Sequence, residues 1–285
     1  ALNSTENTVS TGQKVSTASD NPAAYAIAQS MNGNISGLAA VSDGLSFAAQ
    51  IVSTTTSATS SILSTLQLIQ NAITSTGGTG IDLTTVQDEV DGYLDQINTA
   101  ARNSTVNGVN LLDGTDDVGA ATGVSSSTLS STLQYVTGLQ GSVSSVSSIV
   151  TSGSGALTDA LGLTSSTTAG SGVSTLGTTL SALFASSGTP DATTLQAAIQ
   201  AVQTAINTMT SGASKFAAAT QTITGMTTYS SNLSDSLTSG VGALTDADMA
   251  AESAKLTSLQ TKQSLAISSL SVAKSSSQNI LTLFR

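Results

Sequence analysis

Residues 21–76 read NPAAYAIAQS MNGNISGLAA VSDGLSFAAQ IVSTTTSATS SILSTLQLIQ NAITST, and a seven-residue repeat runs through them. Met31, Leu38, Leu45, Val52, Thr59, Leu66 and Ile73 follow one another at steps of seven. Ile35, Ala49 and Leu63 occupy the second seam position, with Ser42, Thr56 and Gln70 as its weaker members. An apolar repeat of seven held this long predicts one long helix with coiled-coil packing. Fifty such residues would extend about 75 Å. Asp20, with Pro22 two residues later, suits the helix start, and Gly77-Gly78-Thr79-Gly80 stops it.

The same repeat returns near the other end. Leu195, Val202, Met209, Phe216, Ile223, Ser230 and Leu237 again step by seven, with Ile199, Ile206 and Ala213 between them. The predicted helix follows Pro190-Asp191 and is interrupted by Gly240 and Gly242. Two long helices that each carry a seam are expected to pack antiparallel, since neither can bury its seam alone. Thr245 or Asp246 then caps a last helix to Arg285 that carries Met249, Leu256, Leu259, Leu265, Leu270, Ile280 and Leu283. Asp246 and Asp248 both suit a helix N-terminus, where a carboxylate stabilises free N–H groups by ~0.3–1 kcal/mol.

Between the long helices, a shorter one is expected from about Thr84 to Arg102. Val86, Val90, Leu94, Ile97 and Ala101 form its buried stripe, and Asp88, Glu89, Asp91 and Asp95 fall on the other side as a solvated face. Asn107-Gly108 between Val106 and Val109, followed by Leu111-Leu112-Asp113-Gly114, reads as a short hairpin or loop. From Thr115 to about Pro190 the composition shifts to Ser, Thr and Gly. Leu129, Leu133, Val136, Val143, Val146 and Val150 keep helical spacing, and Leu157, Leu161, Leu176, Leu180 and Leu183 suggest further short helices. The many Ser, Thr and Val residues leave a β alternative open.

Composition excludes several functions. The 285 residues include no Cys, His or Trp, so no Ser–His or Cys–His pair, thiolate chemistry or ordinary zinc site can be built. Ser and Thr make up 95 residues, a third of the chain, while charged residues make up 8%. A net charge of −10 has the wrong sign for nucleic acid or an anionic membrane surface. No run of 18 apolar residues occurs, so no membrane span is expected. Ala1-Leu2-Asn3-Ser4-Thr5-Glu6 lacks the basic stretch and apolar core of a secretory signal. It also lacks an initiator Met, and trimming is expected there. No catalytic, cofactor-binding or metal-ligating set emerges.

Several motifs resemble the bacterial flagellin family. Val9-Ser10-Thr11-Gly12-Gln13-Lys14-Val15-Ser16-Thr17-Ala18-Ser19-Asp20-Asn21-Pro22-Ala23-Ala24 is similar to the family's L-S-S-G-L-R-I-N-S-A-K-D-D-A-A-G. Asp82-Leu83-Thr84-Thr85-Val86-Gln87-Asp88-Glu89-Val90 resembles D-L-x-x-I-Q-D-E-I, and Asn107-Gly108-Val109-Asn110-Leu111-Leu112 resembles N-G-x-x-L-L. Leu244-Thr245-Asp246-Ala247-Asp248-Met249-Ala250-Ala251-Glu252 resembles I-x-D-A-D-Y-A-x-E, and Gln278-Asn279-Ile280-Leu281-Thr282-Leu283-Phe284-Arg285 resembles Q-N-V-L-S-L-L-R. These matches stand in the family's order and leave only the middle unmatched.

The resemblance implies a mainly α fold, an elongated bundle of long antiparallel heptad helices with a short β-hairpin or loop and an inserted variable module. Residues 1–114 would form the N-terminal part of the helical core and 115–190 the variable, outward-facing module. Residues 191–243 would complete the core, and 244–285 would form the inner-tube helix. It implies a structural subunit of the extracellular flagellar filament that is not an enzyme and needs no cofactor. Its partners would be other flagellin subunits, an export chaperone, and the cap and junction proteins, with export through the flagellum's own secretion channel. The hook–filament junction protein of the same superfamily is the alternative.

Two departures carry expectations. Leu66-Gln67-Leu68-Ile69-Gln70-Asn71 aligns with the family's L-Q-R-V-R-E but lacks both arginines and the glutamate. The stretch that the resemblance assigns to the innate immune receptor of vertebrates is therefore degenerate. Ala1 falls well inside the family's pattern, so the last helix is expected to be covered by a partner chain or a preceding segment.

Overall fold

The computed structural model describes residues 2–112, 130–149, 156–165, 175–185 and 190–283, with side chains to residue 275. Helix α1 spans Leu2–Thr11, α2 Pro22–Ser75 and α3 Leu83–Asn103. Strands β1 (Thr132–Val136) and β2 (Val143–Ser147) come next, then α4 (Leu157–Ala160), β3 (Thr164–Ser165), β4 (Thr175–Leu176) and α5 (Thr178–Phe184). Helices α6 (Ala192–Thr245) and α7 (Met249–Leu283) complete the chain. The fold is mainly helical, as the repeats predict. Contacts divide it into two compact units, 1–39 with 231–285, and 40–230. Both divisions fall inside the long helices.

Helix α2 starts one residue later than the Asp20 cap expected from sequence. Asn21 Oδ1 accepts from Ala24 N at 3.1 Å, so Asn21 is the cap and Pro22 sits at the first helical position. Asp20 closes the preceding loop instead: its Oδ2 accepts from Thr17 N at 2.9 Å and Ser16 N at 3.1 Å.

Ser and Thr are ordinarily weak helix formers. In α2 they are accommodated by their own backbone. Every Ser and Thr from Thr54 to Thr65 donates its hydroxyl to the carbonyl four residues earlier. Buried Thr55 and Thr59 thereby satisfy their O–H groups without a partner across the interface, at 2.9 and 2.7 Å. Against the expectation of no membrane span, α2 is by length and composition alone long and apolar enough to cross a membrane, with a mean hydropathy of 1.4 over 18 residues, of which 33% are buried within the fold.

In the larger unit the start of α6 lies beside the end of α2: a Cβ placed on Gly77 would meet Leu195 Cδ2 at 3.0 Å. Both helices contribute to one buried cluster, from Val41 to Ile73 on α2 and from Ala198 to Ile223 on α6, so they run antiparallel. Phe216 on α6 is fully buried within this cluster.

The second seam position departs from the sequence expectation. Ile35, Ser42, Ala49, Thr56, Leu63 and Gln70 are only half-buried. The fully packed partners of the Leu45 row are Val41, Ala48, Thr55, Ile62 and Ile69, three residues on rather than four. On α6 the same shift applies: Ala198, Ala205 and Gly212 are buried, while Ile199, Ile206 and Ala213 are half-buried. The seam on α6 therefore has a row of very small residues. At Gly212 the notch admits Ile149, whose Cδ1 would lie 2.1 Å from an added Cβ.

Asp82 caps α3, accepting from Thr84 N at 3.0 Å, and Val86, Val90, Leu94, Ile97 and Ala101 bury its stripe. The chain then reverses at Asn107-Gly108, with φ of 49° and 79° and reciprocal 3.0 Å bonds between Val106 and Val109. This is the two-residue turn that an Asn-Gly pair favours. Buried Asn110 fastens the turn to the end of α3. Its Nδ2 donates to Ala101 O at 2.8 Å and Thr105 Oγ1 at 2.9 Å, and its Oδ1 accepts from Leu112 N at 2.9 Å and Ser104 Oγ at 3.1 Å. Removing the amide by Asn110→Ala strands several buried polar groups, each costing about 1–3 kcal/mol. We expect the melting temperature to fall by several degrees, as calorimetry would show.

Residues 132–147 form a β-hairpin rather than the expected helix, with Leu133 paired to Val146 and Val136 to Val143. Leu133 and Tyr135 point inward and Gln134 and Val136 outward, the alternation of a strand. Leu157, Leu161, Leu180 and Leu183 are buried on or beside the short helices α4 and α5, whereas Leu176 lies in β4. Leu129, Val150 and Asp113-Gly114 lie outside the described residues.

In the smaller unit, α1 packs along α7. A clasp joins the two chain reversals: Lys14 N donates to Thr245 O at 2.7 Å, Ala247 N to Gly12 O at 2.9 Å, and Lys14 Nζ to Ala243 O at 3.0 Å. Gly240 and Gly242 do not interrupt α6, which continues to Thr245. Met31 Sδ lies 3.5 Å from the position of a Cβ on Gly240 and fills the space there. The cap of α7 is Asp248 rather than Thr245 or Asp246; its Oδ1 accepts from Ala250 N at 3.0 Å and Ala251 N at 3.2 Å.

Candidate functional site

Among the described residues Glu6, Lys14 and Asp20 line an open polar pocket of about 510 Å³ beside α1, and the other candidate surfaces are the helix faces. Of the seam residues read from the sequence, Leu45, Val52, Leu66, Val202, Met209 and Phe216 are fully buried, with Leu38 and Ile223 nearly so. Met31 and Leu195 are half-buried against Gly240 and Gly77. Sequence reasoning missed Ala48, Thr55, Ala198, Ala205 and Gly212, because a small side chain does not register as an apolar anchor. Their signal was positional, since each stands three residues beyond a member of the legible row.

In the segment 66–71, Leu66 and Ile69 face the core, Gln70 is half-buried, and Gln67, Leu68 and Asn71 are exposed. Its outer face is therefore two amides and a leucine, without charge.

Helix α7 divides into two parts. Leu256 and Leu259 are half-buried, and Met249 is exposed near the helix start. Further on, Leu265, Ile267, Leu270 and Val272 are 66%, 62%, 71% and 68% exposed. At 3.6 residues per turn, Leu265 and Val272 share one face while Ile267 and Leu270 lie more than a third of a turn away. Contrary to the expected cover by a partner chain or a preceding segment, α7 packs along α1 of the same chain, while Leu265, Ile267, Leu270 and Val272 are open in the single chain. Ile280 and Leu283 lie outside the described side chains.

A second apolar surface lies in the larger unit. A groove of about 490 Å³ runs between α2 and the hairpin, lined by Val41, Phe47, Leu133, Tyr135, Val136 and Val143.

The carboxylates serve local roles. Glu89 accepts from Tyr93 Oη at 2.8 Å. Half-burial of Asp91, with Asp95 and Asp88 nearby, raises its carboxyl above the ordinary range. Among the described residues no group of three or more His, Cys, Asp or Glu side chains could hold a metal ion. Hydrogen bonds from the Thr17 and Ser16 backbone hold the Asp20 carboxyl below its ordinary value. A carboxyl lowered in the folded state contributes stability that is present above its unfolded pKa, about 3.9, and is lost as pH falls through the folded value. Acidification below about pH 4 should therefore lower the protection of the Ser16 and Thr17 amides, measured as hydrogen exchange relative to an unstructured peptide at the same pH.

Residues 1–117 match the bacterial flagellin N-terminal helical region, and residues 199–284 match the bacterial flagellin C-terminal helical region. Over its whole length the chain is 32% identical to a flagellin of Brucella melitensis biotype 1, covering 92% of that protein. It is 32% identical to Flagellin C of Rhizobium meliloti, again over the whole chain and 92% of the relative. Flagellin FljO of Caulobacter vibrioides is 31% identical over the whole chain and 91% of its own length.

Proposed function

The chain belongs to the bacterial flagellin family, and from that premise we propose how it works as a structural subunit of the bacterial flagellar filament. Each long helix gives its Leu45-type row to the intrachain seam and keeps its remaining faces for neighbouring copies. The observation that carries this reading is α7, which holds large apolar side chains open on two faces. A helix in water draws most of its stability from packing. Neighbouring subunits would cover those faces, and head-to-tail contacts that do not close into a ring extend into a filament. Unlike charged surfaces, the nearly uncharged outer faces of α2 and α6 place little self-repulsion between packed copies.

Relatives spanning the whole chain are flagellins, which favours the filament over the hook–filament junction. The export chaperone, the cap and junction proteins as partners, and passage unfolded through the flagellar channel are part of this proposal. So is the outward placement of residues 115–190. Electron microscopy of the purified full-length protein after seeding tests it. Long filaments are expected, and short collars or unassembled protein at high concentration would overturn the reading.

The exposed face of 66–71 supports a further expectation. A guanidinium fork offers planar hydrogen bonding that Leu68 and Gln70 cannot replace, and losing such an anchor costs ~2–4 kcal/mol at a hot spot. We expect activation of Toll-like receptor 5 in reporter cells to be weaker by at least about thirtyfold than for an arginine-bearing flagellin. Equal potency would refute it.

A further inference from the structure

The dipeptide Asn-Gly occurs twice in this chain, as Asn32-Gly33 and Asn107-Gly108, and both asparagines are exposed. Their backbones differ. Asn32-Gly33 lies inside α2, with ten helical residues before it and many turns after. An interior helical N–H is bonded one turn back and its dihedrals are fixed on both sides. Asn107 has a φ of 49° and is the only non-glycine residue at positive φ among the described residues. Its turn is closed by a single pair of bonds between Val106 and Val109. Gly108 N–H has no acceptor among the described residues.

We propose that Asn107 is a site of spontaneous deamidation and backbone isomerisation, and that Asn32 is protected from the same reaction. After solvent base removes its proton, the Gly108 backbone nitrogen attacks Asn107 Cγ. The new N–Cγ bond forms, the Cγ–Nδ2 bond breaks, and Nδ2 takes up a proton and leaves as ammonia. One water then opens the five-membered imide. Addition at Cγ restores the chain as an aspartate. Addition at the backbone carbonyl leaves the chain running through Cβ, as an isoaspartate.

Glycine after the asparagine offers no side chain to block the approach. Conformational access decides the contrast, because the reaction needs the amide nitrogen and Cγ to swing together. Opening the turn breaks the Val106–Val109 pair and the Ser130 bond to Gly108 O at one exposed tip, whereas opening an interior helical turn breaks a run of ladder bonds inside a packed helix, and local openings range in cost from near zero to the global stability. Isoaspartate adds one backbone atom to a turn that holds its neighbours in register. Gly108 O accepts from Ser130 N at 2.8 Å, and Asn110 N donates to Ser130 O at 3.1 Å. Lengthening the turn would break this register and pull Asn110 from the end of α3. Either product also adds a negative charge.

The test ages the full chain in mildly alkaline buffer and follows both peptides by mass spectrometry, with enzymatic labelling to detect isoaspartate. Conversion at Asn107 should exceed that at Asn32 by at least about tenfold, with isoaspartate among the products. The aged protein should melt below fresh protein. A freshly purified Asn107→Asp variant separates charge from backbone length, because Asp also tolerates the left-handed region. It should melt close to the parent. Equal conversion at the two sites, or none at Asn107, overturns the site. Melting of Asn107→Asp as low as the aged protein overturns the backbone explanation.

Discussion

Replacing Leu45 by Asp should lower the melting temperature by roughly 10 °C or more and expose the seam. Leu45 is fully buried in the cluster joining α2, α3, α6 and the hairpin. Aspartate there loses the transfer energy of the leucine and leaves an unpaired carboxylate in an apolar layer. Stranding a buried charge costs ~3–5 kcal/mol, a large part of the 5–15 kcal/mol by which domains are stable. For a chain of this size each kcal/mol shifts the transition by about 2–4 °C. Ser46→Asp is the control: exposed on the same helix, it should change stability by no more than about 0.5 kcal/mol. If Leu45→Asp melts within a degree or two of the parent, α2 and α6 are not paired through this row.

Leu265→Asp and Leu270→Asp should do the opposite, leaving the single chain intact and stopping polymerisation. Both residues are about two-thirds or more exposed, so no buried contact within the chain is lost. If neighbouring copies cover them, each contributes ~1.5–3 kcal/mol at every subunit contact. Removing one then raises the critical concentration by roughly 10–100-fold. Sedimentation of seeded filaments would measure this, with a thermal melt of the unassembled protein as the companion. Normal pelleting by both variants would mean that neither face of α7 is covered in the filament.

The two helices, their antiparallel sense and the Asn107-Gly108 turn were legible because large side chains recur at one spacing and because a turn needs its own residue types. The second seam row was not. Leu63 and Ile206 look like better core residues than Thr55 and Ala205, yet close approach of two helices rewards the smaller pair. The hairpin was misread because Leu133, Val136, Val143 and Val146 fit a helical spacing as well as two short strands. Only the reversal between Val136 and Val143 separates the two, and Gly141 there adopts a φ of 75°. Gly240 misled in the other direction. A glycine weakens an isolated helix by ~1 kcal/mol, but at 240 Met31 packs into the space and the helix continues. The cap residues were misplaced by one to three positions because Asp20, Asn21, Thr245, Asp246 and Asp248 all carry suitable acceptors, and loop geometry chooses among them.

The hydroxyls of α2 have a mechanical consequence. From Gln50 to Ser61 each carbonyl that receives a hydroxyl also serves the helix ladder, so its lone pairs are shared between two donors. Such sharing slightly weakens the ladder and lets a helix bend. Here the shared carbonyls occur on every side, which favours no single direction of curvature. The expected consequence is a helix that bends more readily over residues 50–61 than over its ends.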